Sequence, residues 1–339
     1  MQILKKKIPF TLYISSLLVL ILVMIFISIN AGYIEVPFQN VLKTFIGQGT
    51  DSDELTIVNF RLPRIIMAIL VGAGISVSGA ILQSISRNPL ADPGILGINS
   101  GAGFMVVFYM FFIQGNVFYQ SWVSVFLMPL IALFGAFSAA LIIYLLAWKK
   151  GTIKPTRMIL VGIGVNAAFS AGLTIFQLKM EPADFTKALI WISGTIWGST
   201  WTYVWAIIPW LMILIPFVIY KSRTLDLLTL GEVPSIAVGI SVEKERRLLL
   251  FVSVALAGAC VAVGGGITFV GLIAPHMARK LVGASHRRII PISLCLGALL
   301  VLVADTIGRV LLAPVELPVG IVISVIGAPY FIYLLLFKQ

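Results

Sequence analysis

The sequence predicts an all-α integral membrane protein in which a single domain of about ten membrane-spanning helices occupies residues 1–339. Two observations predict it. Of the 339 residues, 60% are hydrophobic and only 11% are charged, whereas a soluble domain is typically about 25% charged. Apolar runs also recur along the chain at about 20 residues each, which is the length that one helix needs to cross a bilayer. A chain with a mean hydropathy of +1.07 is therefore expected to have lipid around it.

Hydropathy places the ten spans near residues 9–31, 64–84, 94–113, 121–147, 157–177, 200–220, 247–264, 267–281, 289–308 and 318–337. The first is interpreted as a retained span rather than a cleaved signal peptide, because it is long and lacks a good cleavage site. An even number of spans puts both termini on one side. Cytoplasmic loops are rich in Lys and Arg, and this assignment puts 18 of the 24 basic residues inside and 6 outside. Both termini are therefore predicted to be cytoplasmic.

Three loops are long enough to have structure of their own. The outer segment Gly32–Asn59 and the outer segment Lys179–Thr200 each have room for a short helix. In the inner loop, residues 221–247, Pro234 suits the first position of a helix and Gly239 can end it. Ser241 can cap a second helix, with Glu243 in its first turn. Two short helices at the membrane surface are therefore predicted in this loop.

The span that follows Arg61 and Arg64 is rich in small residues, among them Gly72, Gly74 and Gly79. Small residues let neighbouring helices approach closely in lipid, where packing drives association. The sequence therefore predicts close helix contacts at these glycines.

Several chemistries are excluded by the sequence. No G-x-x-x-x-G-K-[ST] motif occurs, so the chain has no P-loop and a nucleotide site would belong to another subunit. His276 and His286 have no cysteine or carboxylate beside them in the sequence, and Cys260 and Cys295 lie in apolar runs. No metal site and no catalytic residue are predicted. The net charge of +11 is interpreted as topogenic rather than as a nucleic-acid site.

Charge inside the predicted spans is scarce. Asp305 is the one acidic residue there, and Arg309, four residues later, is its expected partner on the helix face. Ionisable residues within spans mark ion-coupled carriers, so their scarcity argues against a proton-driven carrier.

Phrases along nearly the whole chain, residues 10–337, resemble the FecCD family of permease subunits of ABC importers for iron–siderophores, haem and vitamin B12. In chain order they are RLPR (61–64), SRNPLADPGILG (86–97), NSGAG (99–103), WISGTIWGSTW (191–201), LGE (230–232), GGGITFVGLIAPHMARKLVG (264–283), ADTIGR (304–309) and ELPVGIVISVIGAPYFIYLL (316–335). The resemblance implies a BtuC-like, type II importer fold.

The resemblance also implies an assembly in the bacterial cytoplasmic membrane. A second permease, identical or paralogous, would complete the pathway. Two cytoplasmic ATPases would bind ATP and Mg²⁺, so that this chain needs no cofactor, and an extracellular or periplasmic protein would deliver the substrate. The expected substrate is a ferric siderophore, with haem and vitamin B12 as alternatives, and its bulk suits a wide, apolar channel with the glycine-rich span as one wall. No nucleic-acid partner is expected.

Two groups of residues take roles from the resemblance. Gly231, Glu232 and Gly239 match the segment that docks on the ATPase, whereas Pro234 and Ser235 stand where the family commonly has small and basic residues. At the outer mouths of the spans, arginines matching Arg61, Arg64 and Arg309 pair in the family with glutamates of the binding protein. A snorkelling arginine that only anchors its helix is the alternative for these three.

Two other functional classes remain open on the sequence: an ion-coupled secondary transporter, and a passive channel or structural membrane subunit. An ABC permease needs a partner ATPase. Uptake that survives ATP depletion while the membrane potential is kept would favour one of the other classes.

Overall fold

The computed structural model describes residues 9–32, 36–94, 97–112, 122–149, 152–153 and 155–337. The helices of these residues are α1 (Phe10–Asn30), α2 (Phe38–Phe45), α3 (Asp51–Glu54), α4 (Leu62–Ile85), α5 (Ile98–Phe112), α6 (Trp122–Ala147), α7 (Pro155–Gln177), α8 (Pro182–Ile192), α9 (Trp201–Tyr220), α10 (Ser222–Leu230), α11 (Glu232–Ala237), α12 (Val242–Gly264), α13 (Val270–Val282), α14 (His286–Val310) and α15 (Val319–Phe337). A π-helical segment, Leu55–Arg61, joins α3 to α4. Between α6 and α7 lies a short antiparallel pair, β1 (Trp148–Lys149) and β2 (Thr152–Ile153).

Eight helices in the described part of the chain are long and apolar enough to cross a membrane, which identifies a multi-pass membrane protein. The other two predicted spans are helices at the expected places, but they are shorter. The described part of α5 has 15 residues, and α13 has 13. At 1.5 Å per residue they extend about 22 and 20 Å, less than the roughly 30 Å of a hydrocarbon core. Helices thus occupy the two predicted spans 94–113 and 267–281, and they begin three to four residues after the predicted starts.

The glycine-rich helix α4 lies at the centre of the bundle. Its most apolar stretch is 83% buried, whereas that of α7 is 11% buried. The α4 helix packs against α12, α13 and α14, and α1 and α7 lie at the periphery. Because no side chain separates the backbones, a Cβ at Gly72 would overlap the carbonyl of Gly297 in α14. One at Gly79 would likewise overlap the backbone of Gly271 in α13.

The loop between α12 and α13 reverses the chain inside the bundle. Gly265 has a φ of 68°, a conformation that glycine adopts without the steric cost of a Cβ. The carbonyl of Trp191, at the end of α8, accepts a hydrogen bond from the amide of Gly266 at 3.4 Å, and Gly194 accepts one from Gly320 at 3.0 Å. The segment after α8 is thus held between this loop and the beginning of α15. The α8 helix itself occupies the outer segment in which the sequence left room for a short helix.

The segment 221–247 differs from its prediction in three ways. Its first short helix, α11, begins at Glu232, so Pro234 is the third residue and not the first. The predicted second short helix does not exist separately, because Val242 begins the long helix α12. No helix breaker stands between Ser241 and the apolar run that follows, and the helix continues into it. A further helix, α10, precedes α11 and was not predicted.

Candidate functional site

At one end of the bundle, α10 and α11 meet in a corner that Gly231, Ser235 and Gly239 form. Gly231 lies between the two helices with a φ of 119°. Ser235 is fully buried, and its hydroxyl donates to the carbonyls of Leu227 at 2.8 Å and Gly231 at 2.6 Å. Gly239, with a φ of 86°, follows α11. These residues set the direction of α11 relative to α10.

Glu232 ties this corner to the rest of the bundle. Its carboxylate accepts a hydrogen bond from Arg246 of α12 at 3.0 Å and lies 3.6 Å from Arg87, which follows α4. Arg246 also pairs with Glu243 at 2.7 Å. The carboxylate of Glu232, 45% exposed, therefore links α11 to both α12 and the end of α4.

Four large apolar side chains project outward around α11. They are more than 60% exposed: Leu230, Val233, Ile236 and Val238. We call these four residues the α11 patch. An exposed apolar patch bordered by charged residues is typical of a protein–protein contact site.

A buried polar cluster lies beside the same corner. His286, at the start of α14, is 1% exposed and lies between Asp226 of α10, at 2.6 Å, and Ser84 of α4, also at 2.6 Å. The backbone amide of His286 donates to the same Asp226 oxygen at 2.7 Å. No carboxylate lies beside this histidine in the sequence, but the fold brings Asp226 to it from 60 positions away.

The electrostatics of Asp226 follow from these contacts. Partial burial by itself would raise the pKa of the Asp226 carboxyl, but the hydrogen bonds from the side chain and backbone of His286 and the charge of its ring outweigh it. The pKa of Asp226 therefore lies below its ordinary value. Hydrogen bonds to the charged form of a carboxyl act in this direction.

The opposite end of the bundle carries a charged network. Arg64 pairs with Asp305 at 2.8 Å and with Glu316 at 2.7 Å. Arg309 lies 3.4 Å from the same Asp305, which confirms the predicted pair four residues apart. The Asp305 side chain is 1% exposed, so both arginines meet its charge away from water.

Arg61 and Arg309 are also engaged inside the chain. Both are buried, at 6% and 5% exposure. Arg61 donates to the carbonyl of Ile29, and Arg309 donates to the side chain and the carbonyl of Ser28, near the end of α1. These contacts anchor α1 to α14 and to the π-helical segment that leads into α4. The assignment of Arg61, Arg64 and Arg309 to a docking site stays a prediction.

A cavity of about 470 Å³ lies between α5, α7, α8 and the loop before α13. Three of its polar residues, Asn166, Ser170 and Thr174, are spaced four apart on α7 and so share one face of that helix. Asn99 and Ser100 of α5 line the other side. The predicted pathway residues Gly72, Gly74 and Gly79 do not line this cavity. They lie in helix contacts, and a Cβ at Gly74 would overlap the sulfur of Cys260 in α12.

The sequence profile of the FecCD transport family matches residues 20–337. The chain belongs to the FecCD transport family. It is 56% identical over 317 residues, 94% of each chain, to the iron(3+)-hydroxamate import system permease protein FhuG of Bacillus subtilis (strain 168). Identity to the iron-uptake system permease protein FeuC of the same organism is 44% over 321 residues, covering 94% of this chain and 95% of that one.

A solved structure of an inward-facing ABC transporter, described as of the metal-chelate type, shares the fold. Its TM-score with this FecCD chain is 0.83 at 29% identity, covering 96% of this chain and 99% of that one. The overall fold of this chain is thus one that is already known by experiment.

Sequence reasoning missed two parts of this FecCD chain. The spacing of Asn166, Ser170 and Thr174 in an otherwise apolar run was a legible signal for a polar helix face. No local signal pointed to the contact between His286 and Asp226.

Proposed function

We propose that this chain is the permease subunit of an ABC importer that moves a ferric siderophore, of hydroxamate or related type, across the bacterial cytoplasmic membrane. The observation that carries the proposal is the similarity over nearly the whole chain to permeases of iron(3+)-chelate import systems. The chain is 56% identical to the FhuG permease named above. The chain would do no covalent chemistry. Its work would be to alternate between outward- and inward-facing states, with both termini in the cytoplasm.

The α11 patch supports an ATPase as the cytoplasmic partner. It lies outside the spans, it is apolar, and Glu232 connects it to α12 and to the end of α4. Movement of a subunit bound there would therefore reach two helices of the central layer. Binding energy shifts an equilibrium between two states only as far as the partner binds one state better, and nucleotide-dependent closure of two ATPases would supply that difference.

The polar cavity supports a transport path lined mainly by neutral hydrogen-bonding groups, with the carboxyl group of Asp92 also among its lining residues. Ferric siderophores present many oxygen atoms, and the hydroxyls and amides of Ser170, Thr174 and Asn166 can bind such a surface weakly. Each such hydrogen bond contributes about 0.5–1.5 kcal/mol net, which allows both entry and release. A second permease, identical or paralogous, would face this one across the path.

Arg64 and Glu316 support an outer contact with a substrate-binding protein. Their pair reaches the surface through Glu316, whose side chain is 34% exposed. Complementary charge across such a contact would chiefly set orientation and encounter rate. In our proposal, Arg61 and Arg309 hold this surface in place through their hydrogen bonds within the chain. Arg64 is the arginine that contacts the binding protein.

Co-purification in mild detergent tests the proposed ATPase contact. Val233→Asp places a charge in the α11 patch at a side chain that is 80% exposed, and Val315→Asp does the same at a 66% exposed side chain at the other end of the bundle. We expect an ABC ATPase to co-purify with the wild type and with Val315→Asp, and to be lost from Val233→Asp. Equal recovery with all three forms would remove the α11 patch from the contact.

A further inference from the structure

Arg87 lies in an uncommon backbone conformation at the end of α4. Its φ of 51° is in the left-handed region, which glycine adopts readily and other residues adopt rarely. The amide of Arg87 donates to the carbonyl of Ser84 at 3.2 Å, and the amide of Asn88 donates to the carbonyl of Gln83 at 3.1 Å. These two hydrogen bonds are typical of a helix end that carries glycine at the left-handed position. The backbone here would therefore cost less with glycine than with arginine.

The side chain of Arg87 makes a contact that glycine could not make. Its guanidinium lies 3.6 Å from the carboxylate of Glu232, the first residue of α11. Arg246 binds the same carboxylate at 3.0 Å, and its side chain is 4% exposed and also paired with Glu243. The Arg87 side chain is 37% exposed and is therefore the less tightly held of the two partners. The contact between α11 and the end of α4 can thus form and break while Glu232 stays bound to α12.

The turn that follows α4, residues 87–94, borders two cavities, and we call it the 87–94 turn. Asp92 and Gly94 line the polar cavity beside α7. Pro89 and Leu90 line a second cavity, of about 580 Å³, together with residues of α13 and α15. A displacement of this turn therefore changes the shape of both cavities.

Hydrogen bonds within the 87–94 turn hold it together. The side-chain oxygen of Asn88 accepts a bond from the amide of Leu90 at 2.9 Å, and the carboxylate of Asp92 accepts one from the amide of Gly94 at 2.7 Å. Asn and Asp side chains that bond to the backbone two residues later stabilise turns in this way. We expect the turn to move as a unit, with Arg87 at its start as the point where α11 reaches it.

We propose that Arg87 is the positioning residue through which α11 controls the 87–94 turn. This role rests on the ATPase contact proposed above, because Glu232 stands directly before Val233 of the α11 patch. A subunit that binds the patch shifts Glu232, and the ion pair with Arg87 passes the shift to the turn and so to both cavities. The pair is formed in the state described here and is broken in the alternate state of the permease.

Hydrogen–deuterium exchange of the purified full-length chain tests the link between α11 and the turn. Glu232→Gln removes the charge and keeps the shape of the side chain. We expect it to make the amides of the 87–94 turn exchange about fivefold faster, which corresponds to the roughly 1 kcal/mol that a partly exposed ion pair contributes at most. In the background of Arg87→Gln, the same change at Glu232 should have no effect on the turn, because the pair is already absent. Glu245→Gln, which breaks the pair of Glu245 with Lys221 at the same end of the bundle, is the matched control and should leave these amides unchanged.

Arg87→Gly separates the role of the side chain from the stability of the fold. Glycine relieves the left-handed backbone, so the Tm of this variant should not fall. Its complex should still contain the ATPase and hydrolyse ATP, but it should take up about fivefold less ferric hydroxamate per ATP in proteoliposomes. Arg87→Lys keeps a cation near Glu232 and should retain most of the uptake. Arg223→Gln, which removes an exposed charge of α10 at the same end, should leave uptake unchanged.

Unchanged exchange of the turn in Glu232→Gln would overturn the proposal, as would equal acceleration in Glu245→Gln. Normal uptake by Arg87→Gly would also overturn it, because the arginine side chain would then be dispensable. A wild type that recovers no ATPase and takes up no iron with ATP would contradict the proposed function instead. The exchange experiment needs neither the ATPase nor the substrate, and it would still decide whether α11 acts on the turn through Arg87.

Discussion

Asp305 is the residue on which the charged network at one end of the bundle depends. Its carboxylate, 1% exposed, lies between Arg64 and Arg309, and Arg309 in turn binds the end of α1. Pairing stabilises buried charges mainly by avoiding the cost of leaving one of them alone. Removal of the central carboxylate therefore affects two arginines and three helices at once.

Asp305→Ala is expected to lower the free energy of unfolding by about 3–5 kcal/mol, since it leaves buried arginine charge without its partner. Denaturant unfolding of the detergent-solubilised chain measures this. Glu316→Gln is the control, because its side chain is 34% exposed and an exposed pair contributes about 0–1 kcal/mol. Equal losses in both variants would show that Asp305 has no special place in the network.

The Asp226 carboxyl should make the anchoring of α10 depend on pH. Its pKa in the folded chain lies below the ordinary value of 3.8. A depressed pKa contributes stability that is present above the unfolded value and is lost as the pH falls through the folded value. The amides of residues 222–230 should therefore become less protected against hydrogen exchange below about pH 4 in the wild type.

Asp226→Asn removes the titrating group and keeps the shape of the side chain. Its α10 amides should be less protected at neutral pH and should lack the acid step. The same acid step in both proteins would place its origin elsewhere than in the contact between Asp226 and His286.

At the scale of elements, the position of the helices could be predicted, but the residues at which two of them begin could not. A hydropathy window counts apolar residues whether or not they are helical. The segments 94–97 and 265–269 are apolar but contain glycines in turns, with Gly97 at a φ of 85° and Gly265 at 68°. Helices α5 and α13 therefore begin later than the windows indicate.

The α4 helix gives the clearest prediction for an element. A leucine at Gly79 has to displace the backbone of Gly271, so Gly79→Leu is expected to separate α4 from α13 and to cost more than about 3 kcal/mol. Gly164→Leu is the matched control, since a Cβ at Gly164 in α7 would meet nothing within 4 Å. Thermal unfolding in detergent should show a large drop in Tm for the first and little change for the second. A similar Tm for both would mean that α4 and α13 can move apart freely.

The polar face of α7 gives a prediction about transport rather than stability. Asn166→Leu with Ser170→Val is expected to lower uptake of a ferric hydroxamate tenfold or more, because losing two or more hydrogen bonds of about 0.5–1.5 kcal/mol weakens the path. The ATPase activity of the assembled complex should remain. Ser16→Val, on the peripheral helix α1, should leave uptake unchanged, and normal uptake in the α7 variant would remove this cavity from the path.

At the scale of the whole molecule, the sequence predicted the class and the family but not the long-range contacts. The apolar pattern of a sequence indicates where its helices lie, and the order of its motifs indicates its family. Neither reports that Arg64 meets Asp305 or that His286 meets Asp226, because these pairs depend on how distant helices pack. The pathway was expected at the glycines of α4 for the same reason: small residues indicate close contact, and only the fold tells a helix contact from a channel wall.

The central claim is that this chain is the permease of an importer driven by ATP, and uptake into proteoliposomes tests it most directly. The chain is reconstituted with the permease, ATPase and binding protein that co-purify with it, and radioactive iron is supplied as a ferric hydroxamate. We expect iron to accumulate only when ATP is hydrolysed at the cytoplasmic face, and Val233→Asp to abolish accumulation. Accumulation driven by a proton or sodium gradient with no ATP present would contradict the account and identify a secondary transporter instead.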